Sequence, residues 1–165
     1  MKRRMFSLSM WVVTFAVLSS AGWAQQDPFI GTWKQNMAKS KYDPASVTPK
    51  AGTTVKREAA GANAYKVTTD GMNPQGATTH TEYTATLDGK DSPLKGSADY
   101  DSVSIKKTDA NTLITVNRKG GTVVRMLRTV VSKDGKTSTS DQVGYNAQGS
   151  AFHNVTVFDK SDPAR

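Results

Sequence analysis

The sequence has no cysteine, so disulfides, cysteine-ligated metal sites and attachment through a lipid-modified cysteine are all excluded. Histidine is almost as scarce. His80 and His153 are the only two, far apart in the chain, which leaves no His-rich metal site. No glycine-rich phosphate loop and no nucleophile–base motif is present. These absences point away from catalysis: the expectation is a protein that is not an enzyme, with no catalytic residue, no metal and no cofactor. No run of five or more basic residues occurs, and few aromatics lie between the scattered lysines and arginines, which argues against a nucleic-acid partner. No self-similar period is visible, so a solenoid or propeller is not expected.

Long hydrophobic runs are missing too, with one short exception at the start. Lys2, Arg3 and Arg4 form a positive region, residues 6–18 are apolar apart from Ser7, Ser9 and Thr14, and Ser19-Ser20-Ala21-Gly22-Trp23-Ala24 supplies the small residues that signal peptidase requires. This pattern reads as a signal peptide cleaved after Ala24, which makes the protein periplasmic or secreted and leaves residues 25–165 as a single domain. The apolar run falls short of the about 20 residues that a membrane span needs, so no transmembrane anchor is expected after cleavage. Arg3-Arg4-Met5-Phe6 partly matches a twin-arginine signal, and the general secretory route is the alternative. Loss of Lys2, Arg3 and Arg4 with the leader takes the net charge from +8 to +5, a mildly basic and solvated surface.

Large apolar residues are few. Beyond residue 24 there are 4 Leu, 3 Ile, 12 Val and 3 Phe, or 22 of 141 residues, below the level of about one-fifth at which disorder becomes a concern. What the chain has instead is threonine, 19 of them beyond residue 24. Valine and threonine share the β-branched shape that favours strands. Such a chain forms sheet but fills a core sparsely, and a barrel with a partly polar or wet interior reconciles the two.

The first apolar run after the leader is Phe29-Ile30-Gly31-Thr32-Trp33-Lys34, read as an opening strand with Trp33 plugging one end of a barrel. Residues 37–52 follow as a connector in which Pro44 and Pro49 forbid a long helix, read as a surface strap held by Tyr42 and Val47. A meander then begins: strands at 53–58, 64–69 and 78–87, a turn at Asp88-Gly89-Lys90-Asp91-Ser92-Pro93, a brief extended piece at Leu94, a strand marked by Val103 and Ile105, then strands at 112–118, 122–132, 137–145 and 151–158. Asp134-Gly135 supplies the positive φ of a tight hairpin. The expected fold is all-β, an antiparallel up-and-down meander closed into a barrel of about 8–10 strands.

Phe29-Ile30-Gly31-Thr32-Trp33-Lys34 resembles the Gly-x-Trp element that opens the first strand of the calycin superfamily, the lipocalins and fatty-acid-binding proteins. With Lys39-Ser40-Lys41, Asp88-Gly89-Lys90-Asp91 and Val130-Val131-Ser132-Lys133-Asp134-Gly135-Lys136-Thr137, the chain looks like a group of exported bacterial lipocalin-like proteins. The resemblance implies a barrel whose lumen takes a small ligand. It departs from the fatty-acid-binding pattern on the last strand, Ala151-Phe152-His153-Asn154-Val155-Thr156-Val157-Phe158, which lacks the Arg-x-Tyr pair that holds a carboxylate there. Fatty-acid binding therefore does not carry over.

Two functional readings stand on the sequence. One is a barrel that binds a small amphiphilic or anionic molecule in its lumen. The other is a secreted barrel for protein interaction, inhibition or envelope structure, without a ligand. For the first, the candidate ligand-binding residues are Trp33, Tyr83, Met126 and Arg128. The choice rests on residues 122–132, where Met126 favours the even face as the inner one and Arg128 then points inward toward Trp33 or an anionic group. The opposite reading, with Arg128 outward in water and Arg125 or neither arginine inward, is as well supported by the pattern. His80 and Glu82 share one strand face and form a potential acid–base or metal pair, and Asp88 with Asp91, or Asp99 with Asp101, a potential calcium site. An outward polar face and turn-forming aspartates are the favoured readings of these.

Overall fold

The computed structural model describes residues 27–146 and 148–161; the leader assigned to residues 1–24 lies outside the described residues. Eleven strands make up most of it: β1 (Gly31–Gln35), β2 (Lys41–Asp43), β3 (Ala51–Ala59), β4 (Ala64–Met72), β5 (Thr78–Thr86), β6 (Asp88–Lys95), β7 (Ser102–Lys107), β8 (Thr112–Lys119), β9 (Thr122–Val131), β10 (Thr137–Tyr145) and β11 (Ala151–Ser161). From β3 onward each strand pairs antiparallel with the next. β1 closes the ring, pairing with β3 on one side, where Trp33 lies opposite Val55, and with β11 on the other, where it lies opposite Lys160. The result is a closed ten-strand barrel with β2 as an extra strand. Closure removes the exposed edges that would otherwise invite pairing with other chains.

Two segments differ from the reading by pattern. The connector after β1 is not a plain strap. Asn36 caps a 3-10 turn at Met37–Lys39, β2 then pairs with β11, Tyr42 opposite Asn154, and a second 3-10 turn follows at Ala45–Val47. The stretch Asp88 to Pro93, expected as a turn, is the body of β6. Its Asp and Gly residues suggested a turn, but pairing with β7 overrides local preference, at the cost of a register shift between Asp88 and Asp91. The Asp134-Gly135 hairpin forms as its chemistry dictates: Gly135 has φ +70°, and Asp134 accepts from the Lys136 backbone N–H at 3.0 Å.

Inside and outside follow from burial. On β5 the odd residues turn inward, with Thr81 and Ala85 buried, while His80 and Glu82 are exposed. On β9 the order is the reverse of the one Met126 suggested. Thr129 and Val131 are buried, Met126 is 45% exposed and Arg128 is exposed. From Arg125 to Val131 the odd face of β9 is therefore the inner one, and Arg125 rather than Arg128 points into the barrel; a register shift against Asn117 and Arg118 turns Val123 outward. The two faces carry nearly equal apolar content, so the local pattern holds little information. Register decides: Thr129 sits between Leu113 of β8 and Ser140 of β10, both inward.

One end of the barrel is packed solid. Phe29, Trp33 and Val103 have no exposed surface, and Val67, Ile105, Leu113 and Val131 retain 2% or less. Burial of each such side chain is worth about 1.5–3 kcal/mol. This is the floor that Trp33 was expected to plug.

Candidate functional site

The floor is built from the residues just before β1. Asp27 anchors them: its carboxylate accepts from Tyr65 Oη at 2.5 Å, Lys107 Nζ at 2.7 Å and the Phe29 backbone N–H at 3.0 Å. The Phe29 carbonyl in turn accepts from Trp33 Nε1 at 3.0 Å, and Lys160 Nζ lies 5.1 Å from the Trp33 ring centroid. The cation over Trp33 is thus Lys160 and not Arg128. Gly31 is required here. Its φ is +127°, and a Cβ would come within 2.9 Å of the Lys160 side chain.

Burial pushes the Asp27 pKa up, but the hydrogen bonds from Lys107, Tyr65 and Phe29 outweigh it and hold the carboxyl below its ordinary range. Burial, then the bond to Asp27, raises the Tyr65 phenol far above its usual value. A carboxyl depressed in the folded state stabilises fully above its unfolded pKa of about 3.9 and loses that contribution as pH falls through the folded value. Stability is therefore expected to drop below pH about 4, and Asp27→Asn to flatten that drop. Urea unfolding of both proteins at neutral pH and in the acid limb measures it.

Above the floor the lumen changes character. Arg57 of β3 and Tyr83 of β5 point inward from opposite sides of Val67 on β4. Burial lowers the Arg57 pKa, while Tyr83 and Tyr65 nearby favour its charge. Burial likewise raises Tyr83, with both Arg57 and Arg125 close enough to pull it back. Arg125 donates from Nε to Asn117 Oδ1 at 3.2 Å and lies 5.2 Å from the Tyr100 ring centroid, a cation–π contact. Two guanidinium groups thus converge on Tyr83. Among the described residues Arg57 has no carboxylate partner and no side-chain hydrogen bond, and no fully buried side-chain polar atom lacks a partner. Arg57 is half-buried, so its nitrogens keep accessible surface. Asp27 is already committed to Lys107 and Tyr65.

Of the four sequence candidates, only Tyr83 lies in this cluster. Trp33 is sealed in the floor. Met126 and Arg128 are outside, where Arg128 lines an open groove of about 390 Å³ with Val130, Asp141 and Val155. Arg57, Arg125 and Tyr100 were not among the candidates. Arg57 lies on a strand whose inward parity, Thr53, Val55, Arg57 and Ala59, was the one available signal. Tyr100 sits in the β6–β7 connection, where no periodicity operates.

The remaining charged candidates go to separate partners. His80 pairs with Asp70 at 2.6 Å and Glu82 with Lys66 at 3.2 Å, so they do not act together. Asp88 bonds Thr86 and Lys90, Asp91 pairs with Arg118, and Asp101 accepts the Gly120 N–H. Among the described residues no three His, Cys, Asp or Glu gather, and no helix is long and apolar enough to cross a membrane. On the outer wall, all four exposed large apolar residues of the described chain (Val123, Met126, Val143 and Tyr145) fall on β9 and β10 around a rim depression of about 360 Å³.

No family model and no curated protein matches the sequence. The fold has solved counterparts. A zebrafish ileal bile acid-binding protein complexed with cholic acid matches with a TM-score of 0.50 at 12% identity, over 81% of this chain and 99% of that one. EF1p2_mFAP2b bound to DFHBI matches with a TM-score of 0.45 at 9% identity, over 81% and 94%. The fold is that of the fatty-acid and bile-acid-binding barrels.

Proposed function

We propose that this chain is an exported, non-catalytic barrel that takes a small anionic molecule into its upper lumen. One observation carries the reading: Arg57 places an inward, half-buried charge in the barrel that meets no carboxylate among the described residues. A partly desolvated guanidinium gains from a counter-ion, and an incoming carboxylate, sulfonate or phosphate supplies one through a paired hydrogen bond. Arg125 adds a second donor to the same site. A barrel of this fold in complex with cholic acid supports small-molecule binding as a use of the architecture.

The test uses residues 25–165, in which Trp33 is the single tryptophan. Anilinonaphthalene sulfonate serves as the anionic probe, read by energy transfer from Trp33. Each charge-assisted hydrogen bond is worth about 1.5–3 kcal/mol, so Arg125→Ala is expected to weaken the probe about tenfold or more. Arg128→Ala, on the outer wall, is expected to change it less than about twofold. Equal affinities in all three proteins would remove the lumen from the reading.

A second reading, a barrel acting on another protein through its outer surface, is favoured by the gathering of Val123, Met126, Val143 and Tyr145 on one patch. Probe binding that is lost in Met126→Lys and kept in Arg125→Ala would support it over the first.

A further inference from the structure

Resting on that anion-site reading, we infer that the ligand is a compact, hydroxylated acid, not a long-chain amphiphile. The apolar surface of the floor is already spent. Phe29, Trp33, Val67, Val103, Ile105 and Leu113 are buried against one another to within 1%, so no apolar channel runs down through the floor for a hydrocarbon chain to follow. The way down is also closed, because Asp27, held by Tyr65 and Lys107, fixes the segment that carries Phe29 across the floor.

The wall that remains is polar. On β9, β10 and β11 the inward residues Thr129, Ser140, Gln142, Asn154 and Thr156 are all buried, and Asn154 Oδ1 accepts from the Asp43 backbone N–H at 3.3 Å. Thr129 and Ser140 share a hydrogen bond of 2.7 Å, and Gln142 Nε2 donates to Thr156 Oγ1 at 2.6 Å. The inward side chains that keep some accessible surface beside this wall include Arg57, Tyr83, Arg125, Thr69 and Thr115, with Leu127 and Phe152 as the apolar members. The first five end in a hydroxyl or a guanidinium. A methylene chain laid against them displaces their water and returns no hydrogen bond. A ligand with one carboxylate and several hydroxyls meets both needs: the carboxylate takes the guanidinium forks, and its hydroxyls exchange donors and acceptors with Thr69, Thr115 and Tyr83.

Displacement of anilinonaphthalene sulfonate from residues 25–165 tests this. Glucuronate and gluconate represent the hydroxylated acids, octanoate and dodecanoate the chain acids, and glucose the neutral polyol. Both hydroxylated acids are expected to displace the probe at least about tenfold more effectively than octanoate, with dodecanoate no better than octanoate and glucose inert. Thr115→Val is expected to weaken the hydroxylated acids several-fold and leave octanoate unchanged. Potency that rises from octanoate to dodecanoate, glucose matching glucuronate, or no displacement by either hydroxylated acid would each overturn the assignment. The two levels of the reading fail differently. If Arg125→Ala and Arg57→Leu bind the probe like the parent protein, the anion site itself is wrong. If they lose it while the chain acids win, only the ligand class is wrong.

Discussion

Replacement of Arg57 by leucine is expected to abolish most anionic-probe binding while making the empty barrel more stable. The two effects have one cause. In the folded protein the guanidinium faces inward and is half-buried, burial works against its charge, and no described carboxylate balances it. Removing a partly desolvated, unbalanced charge in favour of an apolar side chain of smaller volume is worth about 1 kcal/mol to the folded state. The same substitution removes the donor that an anion would use first, so affinity is expected to fall about a hundredfold, close to 3 kcal/mol. Arg57→Lys separates charge from geometry. It keeps the charge but loses the planar fork, and an intermediate loss of about tenfold is expected. Urea unfolding and probe titration of the same three proteins measure both quantities. A leucine variant that is less stable and binds unchanged would make Arg57 a strut for Tyr65 and Tyr83 and take it out of the site.

Trp33→Ala is expected to cost about 3–5 kcal/mol, the range for deleting a fully buried large aromatic side chain. Three losses add in the same place. The indole has no exposed surface, its Nε1–H satisfies the Phe29 carbonyl, and its face receives Lys160. Since domains of this size are stable by about 5–15 kcal/mol in total, the variant stands near the edge of folding at ambient temperature. Trp33→Phe tests the polar part alone. It keeps a ring under Lys160 and leaves the Phe29 carbonyl unpaired, for about 1–3 kcal/mol. Urea midpoints of the two variants against the parent give the comparison. A cost below about 1 kcal/mol for Trp33→Ala would mean the floor is not what holds the barrel shut.

The all-β class was determined locally. Val and Thr at alternating positions, turn residues between them and the Asp134-Gly135 pair each act over a few residues, so the meander and most strand boundaries are legible in the chain. The Gly-x-Trp element marked the floor for the same reason: Gly31 and Trp33 are suited to one close-packed end whatever surrounds them.

Only the tertiary structure decided which face of β9 looks inward, and with it the candidate site. Along residues 122–132 either parity buries a similar amount of apolar surface, so the choice passes to the neighbours. The pairing of β9 with β8 and β10 puts Thr129 between Leu113 and Ser140 and turns Arg125 in and Arg128 out. The convergence of Arg57, Tyr83, Tyr100 and Arg125 is also non-local. These residues come from β3, β5, the β6–β7 connection and β9, and closing the ring brings them together. A sequence pattern records how one strand divides its two faces, but it holds no term for what stands across a lumen. The sequence by itself thus settled that a barrel forms and where it is plugged, while closure of that barrel decided which charges face into it.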